Sequence, residues 1–315
     1  MDIVKQTAKD IKSLKIQGAS NVRKKAIEAL LKASHASKEK TTNGFRKEFL
    51  KNFEELYHSR PTEPELRTAL RIIKKSISEK ELSVGQMKGI IISTIQDYTK
   101  NRDKAIEDIA TFGSNMIEKD STIMTICHSS TVVKMLIKAK SKIKKVYCLE
   151  TRPLYQGRIT ATELSKAGLD VTLLVDNAAT TVLKECDYFF SGADAFLADG
   201  DVINKIGTNQ ISYACKKFNT KHYAVCSTHK FEPSTFLGKQ EPIEERSEEE
   251  VWDKKSKQKC GATKVKIKNP AFDRTDACTI EGIICELGVF TPATLTSKLY
   301  NDLQIDKREK EFLKL

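Results

Sequence analysis

No two of the eight cysteines stand at C-x-x-C spacing, which leaves a structural zinc site poorly supported and signals no metal. No stretch near 18 residues is free of charge, so nothing reads as a membrane span. Asp2, Lys5 and Lys9 break up any secretory leader at the start. No G-x-G-x-x-G follows a strand pattern, and Walker A and H-E-x-x-H sequences are missing, so nicotinamide and nucleoside-triphosphate enzymes lack support and no cofactor is implied. Aromatics make up only 7% of the chain, and no Gly-aromatic run of the RNA-binding kind occurs. Internal repeats and low-complexity tracts are absent too. Several cysteines sit within apolar runs, as in Val146-Tyr147-Cys148-Leu149 and Ile283-Ile284-Cys285, the pattern of reduced core thiols. A soluble, cytoplasmic protein without membrane partners is expected.

What remains is ample for a folded core. Hydrophobic residues are 39% and charged residues 30% of 315, and the apolar ones are spread along the chain. At roughly 150 residues per domain this length suits two domains. Net charge is +12, with lysines concentrated at residues 12–25, 138–145 and 254–268. Such a surplus suits anionic partners such as RNA, a membrane or a sugar phosphate. The plainer alternative is a solvated lysine-rich face.

The first third reads as helix. Phe45, Phe49, Phe53 and Leu56 recur at four, four and three, one face of a helix. A second helix enters through Pro61-Thr62-Glu63-Pro64 and carries Leu66, Leu70 and Ile73. Residues 81–117 form one long helix or two with a break, with Met87, Ile90, Ile91, Thr94 and Ile95 on one side. From Asp120 onward short β-branched runs (122–126, 144–149, 171–175, 188–190, 222–226) alternate with helical segments (131–139, 160–167, 178–185, 203–217). The expected fold class is therefore α/β: an all-helical domain at 1–118, then a Rossmann-like parallel sheet with helices on both faces at 119–315. Residues 239–268 read as a charged surface excursion, 278–287 as one or two last strands, and 307–315 as a frayed helix.

Ligands of open parallel sheets bind beyond the carboxyl ends of the strands. The residues following each strand form a polar set: Cys127-His128-Ser129-Ser130-Thr131, Glu150-Thr151-Arg152-Pro153, Asp176-Asn177, Gly192-Ala193-Asp194 and Ser227-Thr228-His229-Lys230. Five such clusters at corresponding positions make a site. Cys127 sits between a strand and a helix start, where free N–H groups bind phosphate and favour thiolate, although a lone cysteine is more often a buried hydrophobe. His128 points the other way on an extended backbone and has a supporting or structural place. Asp194 is either a functional carboxylate or a turn cap. Asn204 and Lys205 are expected at the start of a helix that favours anions. Lys230 supplies another cation. Arg152 either binds phosphate or pairs with Glu150.

At these residues the chain resembles a known family. Glu150-Thr151-Arg152-Pro153 with Gln156-Gly157, Gly192-Ala193-Asp194, Asn204-Lys205-Ile206-Gly207-Thr208, Lys230-Phe231 and Asn269-Pro270-Ala271-Phe272-Asp273 resemble runs shared within one group. That group comprises ribose-1,5-bisphosphate isomerase, methylthioribose-1-phosphate isomerase and the regulatory subunits of translation initiation factor 2B. The matches span about residues 122–291, and the helical first unit fits the same architecture. By this resemblance Cys127 and Asp194 are the catalytic pair, since the isomerases keep a Cys in a C-H-S-type segment and an Asp in G-A-D. Gln17, Gly18, Ala19 and Ser20 are expected to face a phosphate, as is Arg60. Ser129, Ser130 and Thr131 are expected to hold substrate, and Asn204, Lys205 and Lys230 to complete the pocket. One departure stands out: the isomerases read Arg-Gly-Ala where this chain has Gln17-Gly18-Ala19, which removes an ion-paired phosphate contact. Lys15 and Arg23 are the nearby candidates to replace it. The V-R-G-A-P-A run of the methylthioribose branch is absent.

The resemblance thus implies an aldose–ketose isomerase of nucleotide metabolism, turning ribose 1,5-bisphosphate into ribulose 1,5-bisphosphate without a cofactor. Cys127 removes the C2 proton, and Asp194 is the acid for ring opening, held protonated by desolvation. The alternative is a non-catalytic regulatory subunit that binds a sugar phosphate or nucleotide and associates with initiation factor 2. Either branch implies a homodimer or hexamer, and a nucleotide effector is a further expectation.

Overall fold

The computed structural model describes residues 2–60, 62–78 and 81–304. Pro61 of the expected helix start and the expected helix at 307–315 lie outside those residues. The chain forms two compact units, Met1–Lys104 and Ala105–Leu315. Their division falls inside a helix, whereas the change in sequence pattern comes at 118/119, where that helix has ended.

The first unit holds α1 (Ile3–Lys12), α2 (Ala19–Ala36), α3 (Thr42–Tyr57), α4 (Pro64–Ser76) and the beginning of α5 (Val84–Met116). Its core is built from the expected faces. Phe45, Phe49, Phe53 and Leu56 of α3 pack with Leu66, Leu70 and Ile73 of α4 and with Met87 and Ile91 of α5. Proline in the first turn of α4 needs no hydrogen-bond partner there. Residues 84–116 form one continuous helix of 33 residues, so the break left open by the sequence does not occur.

The second unit continues with β1 (Ser121–Thr125), α6 (Ser130–Lys138), β2 (Ile143–Leu149), α7 (Gln156–Lys166), β3 (Val171–Leu174), the short α8 (Ala179–Val182) and β4 (Tyr188–Ser191). There follow β5 (Ala195–Phe196), β6 (Val202–Lys205), α9 (Thr208–Phe218), β7 (Lys221–Val225), the short α10 (Lys254–Lys259), β8 (Phe272–Thr275), β9 (Gly282–Cys285), β10 (Gly288–Phe290) and α11 (Pro292–Gln304). The main sheet has the order β10-β9-β7-β4-β1-β2-β3. Every pairing in it is parallel except β9 with β10. The strand direction of travel reverses at β1, which has β2 on one side and β4 on the other.

Side-chain alternation sorts the core onto two faces. Ile123, Val146, Cys148, Tyr188 and Phe190 point to one face and pack with α6 and α7 residues such as Val132, Leu136 and Leu164. Met124, Tyr147, Leu149 and Phe189 point to the other and meet Ile211 and Cys215 of α9. A strand covered on both sides is the reason for the apolar runs seen in the sequence. The expectation of a helix over 203–217 is corrected at its beginning. Val202–Lys205 is a strand of a separate antiparallel sheet, β5-β6-β8, and the helix begins at Thr208. All four of those residues are buried, because β6 is paired on both edges. No helix among the described residues is long and apolar enough to cross a membrane.

Candidate functional site

The strand order reverses between β1 and β4, and the space beyond the carboxyl ends of two such strands is the usual ligand position in sheets of this kind. Thr125 of β1 is level with Phe190 of β4. Two residues further along the chain from each come Cys127 and Gly192, just past the strand ends, so the two polar segments leave the sheet side by side. A Cβ on Gly192 would lie 3.0 Å from Ser129 Cβ and 3.6 Å from Asn204 Oδ1, so glycine lets three segments meet here.

Cys127 does not continue β1. Its φ is 64°, a left-handed conformation that costs on the order of 1–3 kcal/mol for a residue with a side chain. The strand alternation used to place His128 therefore does not apply at this position. His128 is half-buried, with Nδ1 3.1 Å from Thr160 Oγ1. The Cys127 N–H donates to Thr151 Oγ1 at 2.9 Å, and its carbonyl accepts from the Thr160 hydroxyl at 2.7 Å. Ser129 caps α6 by accepting from the Val132 N–H at 3.4 Å. Ser130 is exposed and Thr131 half-buried in the first turn of that helix.

The expectation that the helix start leaves Cys127 as thiolate is corrected. Burial pushes its thiol up to about 11 and outweighs the opposing pull of Lys205, while the Asp194 carboxylate raises it further and Lys230 pulls it down. These same influences reveal who its neighbours are. One carboxylate and two ammonium groups, from the ends of β4, β6 and β7, act on the sulfur at the end of β1. Asp194 lies between β4 and β5, half-buried, and its N–H donates to the Ile203 carbonyl at 2.7 Å. Lys230 Nζ donates to the Ala193 carbonyl, next to Asp194.

Asn204 and Lys205 are both buried at the end of β6. Asn204 Nδ2 donates to Thr208 Oγ1 at 2.9 Å, and the Thr208 hydroxyl donates to the Lys205 carbonyl at 2.7 Å. Lys205 Nζ lies 5.0 Å from the centre of the Phe272 ring. Opposite Asn204 in the β6–β8 pair stands Asp273, whose Oδ2 accepts from the N–H of Gly207 at 2.7 Å and of Asn209 at 3.2 Å. Burial pushes the Asp273 carboxyl up to about 6 in spite of those two bonds.

The remaining candidates lie in the helical unit. Gln17 and Gly18 are exposed just before α2, Ala19 and Ser20 half-buried in its first turn, and Ser20 Oγ accepts from Arg102. Arg60 is buried, with Nη1 3.9 Å from Glu63 Oε2. Of the two suggested replacements for the missing arginine, Arg23 is buried against Glu65 at 3.1 Å and Lys15 stands 3.9 Å from Asp10. Arg152 does not pair with Glu150. Glu150 pairs with Arg158 at 2.9 Å, and the Arg152 guanidinium donates to Tyr155 Oη at 2.7 Å and to the Val251 carbonyl at 3.1 Å.

Residues 15–292 match the initiation factor 2 subunit family. The chain belongs to that family. Within it, the chain is 38% identical over 298 residues to ribose 1,5-bisphosphate isomerase of Methanocaldococcus jannaschii, covering 93% of this chain and 92% of the relative. Two solved structures from Pyrococcus horikoshii share its fold. Translation initiation factor eIF-2B superposes with a TM-score of 0.77 at 26% identity, covering 92% of this chain and 98% of the other. 5-Methylthioribose 1-phosphate isomerase gives 0.75 at 30% identity, covering 95% and 87%. In this initiation factor 2 subunit family member, sequence reasoning had assigned no task to Thr151, Thr160 or Asp273. Thr151 and Asp273 stand in quoted runs, Glu150-Thr151-Arg152-Pro153 and Asn269-Pro270-Ala271-Phe272-Asp273. Thr160, inside a helix, carries no local signal at all.

Proposed function

We propose that the protein is an aldose–ketose isomerase that converts ribose 1,5-bisphosphate to ribulose 1,5-bisphosphate, with Cys127 and Asp194 as its proton-transfer pair. The observation that carries this reading is that Cys127 and Asp194 stand just past the adjacent ends of β1 and β4, with the Lys230 ammonium bonded to the Ala193 carbonyl beside Asp194. Relatives named for this reaction match nearly the whole chain.

The cycle is assigned one shared proton: Asp194 supplies it, and Lys205 and Lys230 favour the Cys127 thiolate against the burial that raises the thiol. Asp194 gives its proton to the ring oxygen as the C1–O4 bond breaks. The thiolate takes the C2 proton, and the electron pair of that C–H bond forms the C1–C2 double bond of an enol. Asp194, now a carboxylate, accepts the enol O–H proton, and the Cys127 thiol returns a proton to C1. C2 is then a ketone, C1 carries two hydrogens, and both side chains are back where they began. Asn204, Ser129, Ser130 and Thr131 are assigned to the sugar hydroxyls and one phosphate. Gln17, Gly18, Ala19, Ser20 and Arg60 are assigned to the other phosphate.

The test is direct: incubate the purified chain with ribose 1,5-bisphosphate and measure ketose. Cys127→Ser and Asp194→Asn are each expected to abolish turnover with the fold intact; ample residual activity in either removes the pair from the mechanism. A second reading has one observation in its favour, Gln17 in place of the isomerases' arginine. On that reading the protein is a regulatory subunit that binds a sugar phosphate or nucleotide without turning it over. Absence of ketose together with tight association to initiation factor 2 would select it. On either reading the protein is assigned to the cytoplasm as a homodimer or hexamer, with a nucleotide as effector.

A further inference from the structure

We propose that Thr151 and Thr160 are positioning residues that clamp Cys127 in its left-handed conformation by gripping its own N–H and C=O. The inference rests on the isomerase reading for its kinetic consequence, though not for its geometry. Cys127 lies just past β1, so its backbone groups have left the sheet ladder and need other partners. Both partners are threonine hydroxyls only 1% exposed, one at the end of the adjacent β2 and one on α7, the helix that follows it.

Proton accounting fixes the direction of every bond. The Thr151 hydroxyl donates its one hydrogen to the Leu149 carbonyl at 3.1 Å, which leaves its oxygen to accept the Cys127 N–H at 2.9 Å. Thr151 is itself left-handed, at φ 66°, and its N–H is anchored on Asp176 Oδ1 at 2.7 Å. The Thr160 hydroxyl donates to the Cys127 carbonyl at 2.7 Å, so towards His128 it can only accept. His128 therefore carries its hydrogen on Nδ1. Threonine suits both places because its branched Cβ restricts χ1 and aims the hydroxyl. Without the clamp, Cys127 relaxes towards an ordinary φ and its sulfur swings away from Asp194, Lys205 and Lys230.

Thr151→Val and Thr160→Val keep the shape and delete the hydroxyl; Thr151→Ser and Thr160→Ser restore it. Each valine variant is expected to lower kcat about 10- to 100-fold with KM for ribose 1,5-bisphosphate little changed, as a misaimed reacting group does. The serine variants should recover most of that loss. Iodoacetamide alkylation of Cys127, followed on its own peptide to separate it from the exposed Cys260 and Cys278, should be several-fold faster in the valine variants as the sulfur loses burial. Valine variants with wild-type kcat and wild-type alkylation would overturn the proposal, as would serine variants no better than valine. If the wild-type chain makes no ketose, the isomerase reading falls, and the alkylation rates by themselves decide the clamp. Where a valine variant fails to fold, Thr151→Ala or Thr160→Ala, which also lacks the hydroxyl, takes its place: faster alkylation of the folded alanine variant upholds the clamp, and an unchanged rate overturns it.

Discussion

Asp273→Asn should erase a pH-dependent loss of stability that the wild-type chain carries between pH 4 and pH 7. The Asp273 carboxyl is raised from an ordinary 3.8 to about 6 because burial penalises its charged form more than the Gly207 and Asn209 N–H groups reward it. Between those two values the folded chain holds a proton that the unfolded chain has released. Stability is then fully retained below pH 3.8 and is lost as pH rises through about 6. At about 1.4 kcal/mol per pH unit, ionisation of this one group costs on the order of 3 kcal/mol at pH 7. Asparagine keeps the shape and an acceptor for the same N–H groups and does not titrate. Urea unfolding of wild type and variant in parallel, at half-unit steps from pH 4 to 7, cancels the titration of every other group in the difference. The variant should gain on wild type by on the order of 3 kcal/mol across that range, most of it between pH 4 and 6. A difference that does not change with pH would mean that the carboxyl is not raised, and the account of its burial would be wrong.

Gly157→Ala should destabilise the sheet unit by about 3 kcal/mol or more, since overpacking against backbone cannot relax. The added Cβ would sit 1.6 Å from the Leu149 carbonyl oxygen, and an unchanged melting temperature would contradict that packing. Lys205→Met keeps the length and removes the charge that pulls hardest on Cys127, so alkylation of Cys127 at pH 9 should slow several-fold. Equal rates would show that the ammonium does not act on the sulfur. Gln17→Arg should lower KM for the bisphosphate about tenfold, the worth of one charge-assisted hydrogen bond, with kcat little altered. An unchanged KM would remove Gln17 from the phosphate subsite.

Much of this molecule was legible from local periodicity, because burial of one helix face or both strand faces leaves a signature in consecutive residues. The face formed by Phe45, Phe49, Phe53 and Leu56, and most of the alternation of strands and helices along the second unit, follow from that signature alone. So does the row of polar residues that begins where each strand stops. The order of strands across the sheet does not. Only the folded chain sets β4 beside β1 and so brings the Cys127 and Asp194 segments to the same end of the sheet. Residues 203–205 read as the start of a helix, yet they lie in the strand Val202–Lys205 because Phe272–Thr275, far along the chain, pairs with it. The acidity of Cys127 follows the same rule. A helix start nearby in sequence argues for thiolate, yet burial by distant segments pushes the thiol up to about 11. Sequence neighbours thus determined which residues stand at the ends of elements. Residues remote in sequence, through pairing and desolvation, decided what those ends meet and how they ionise.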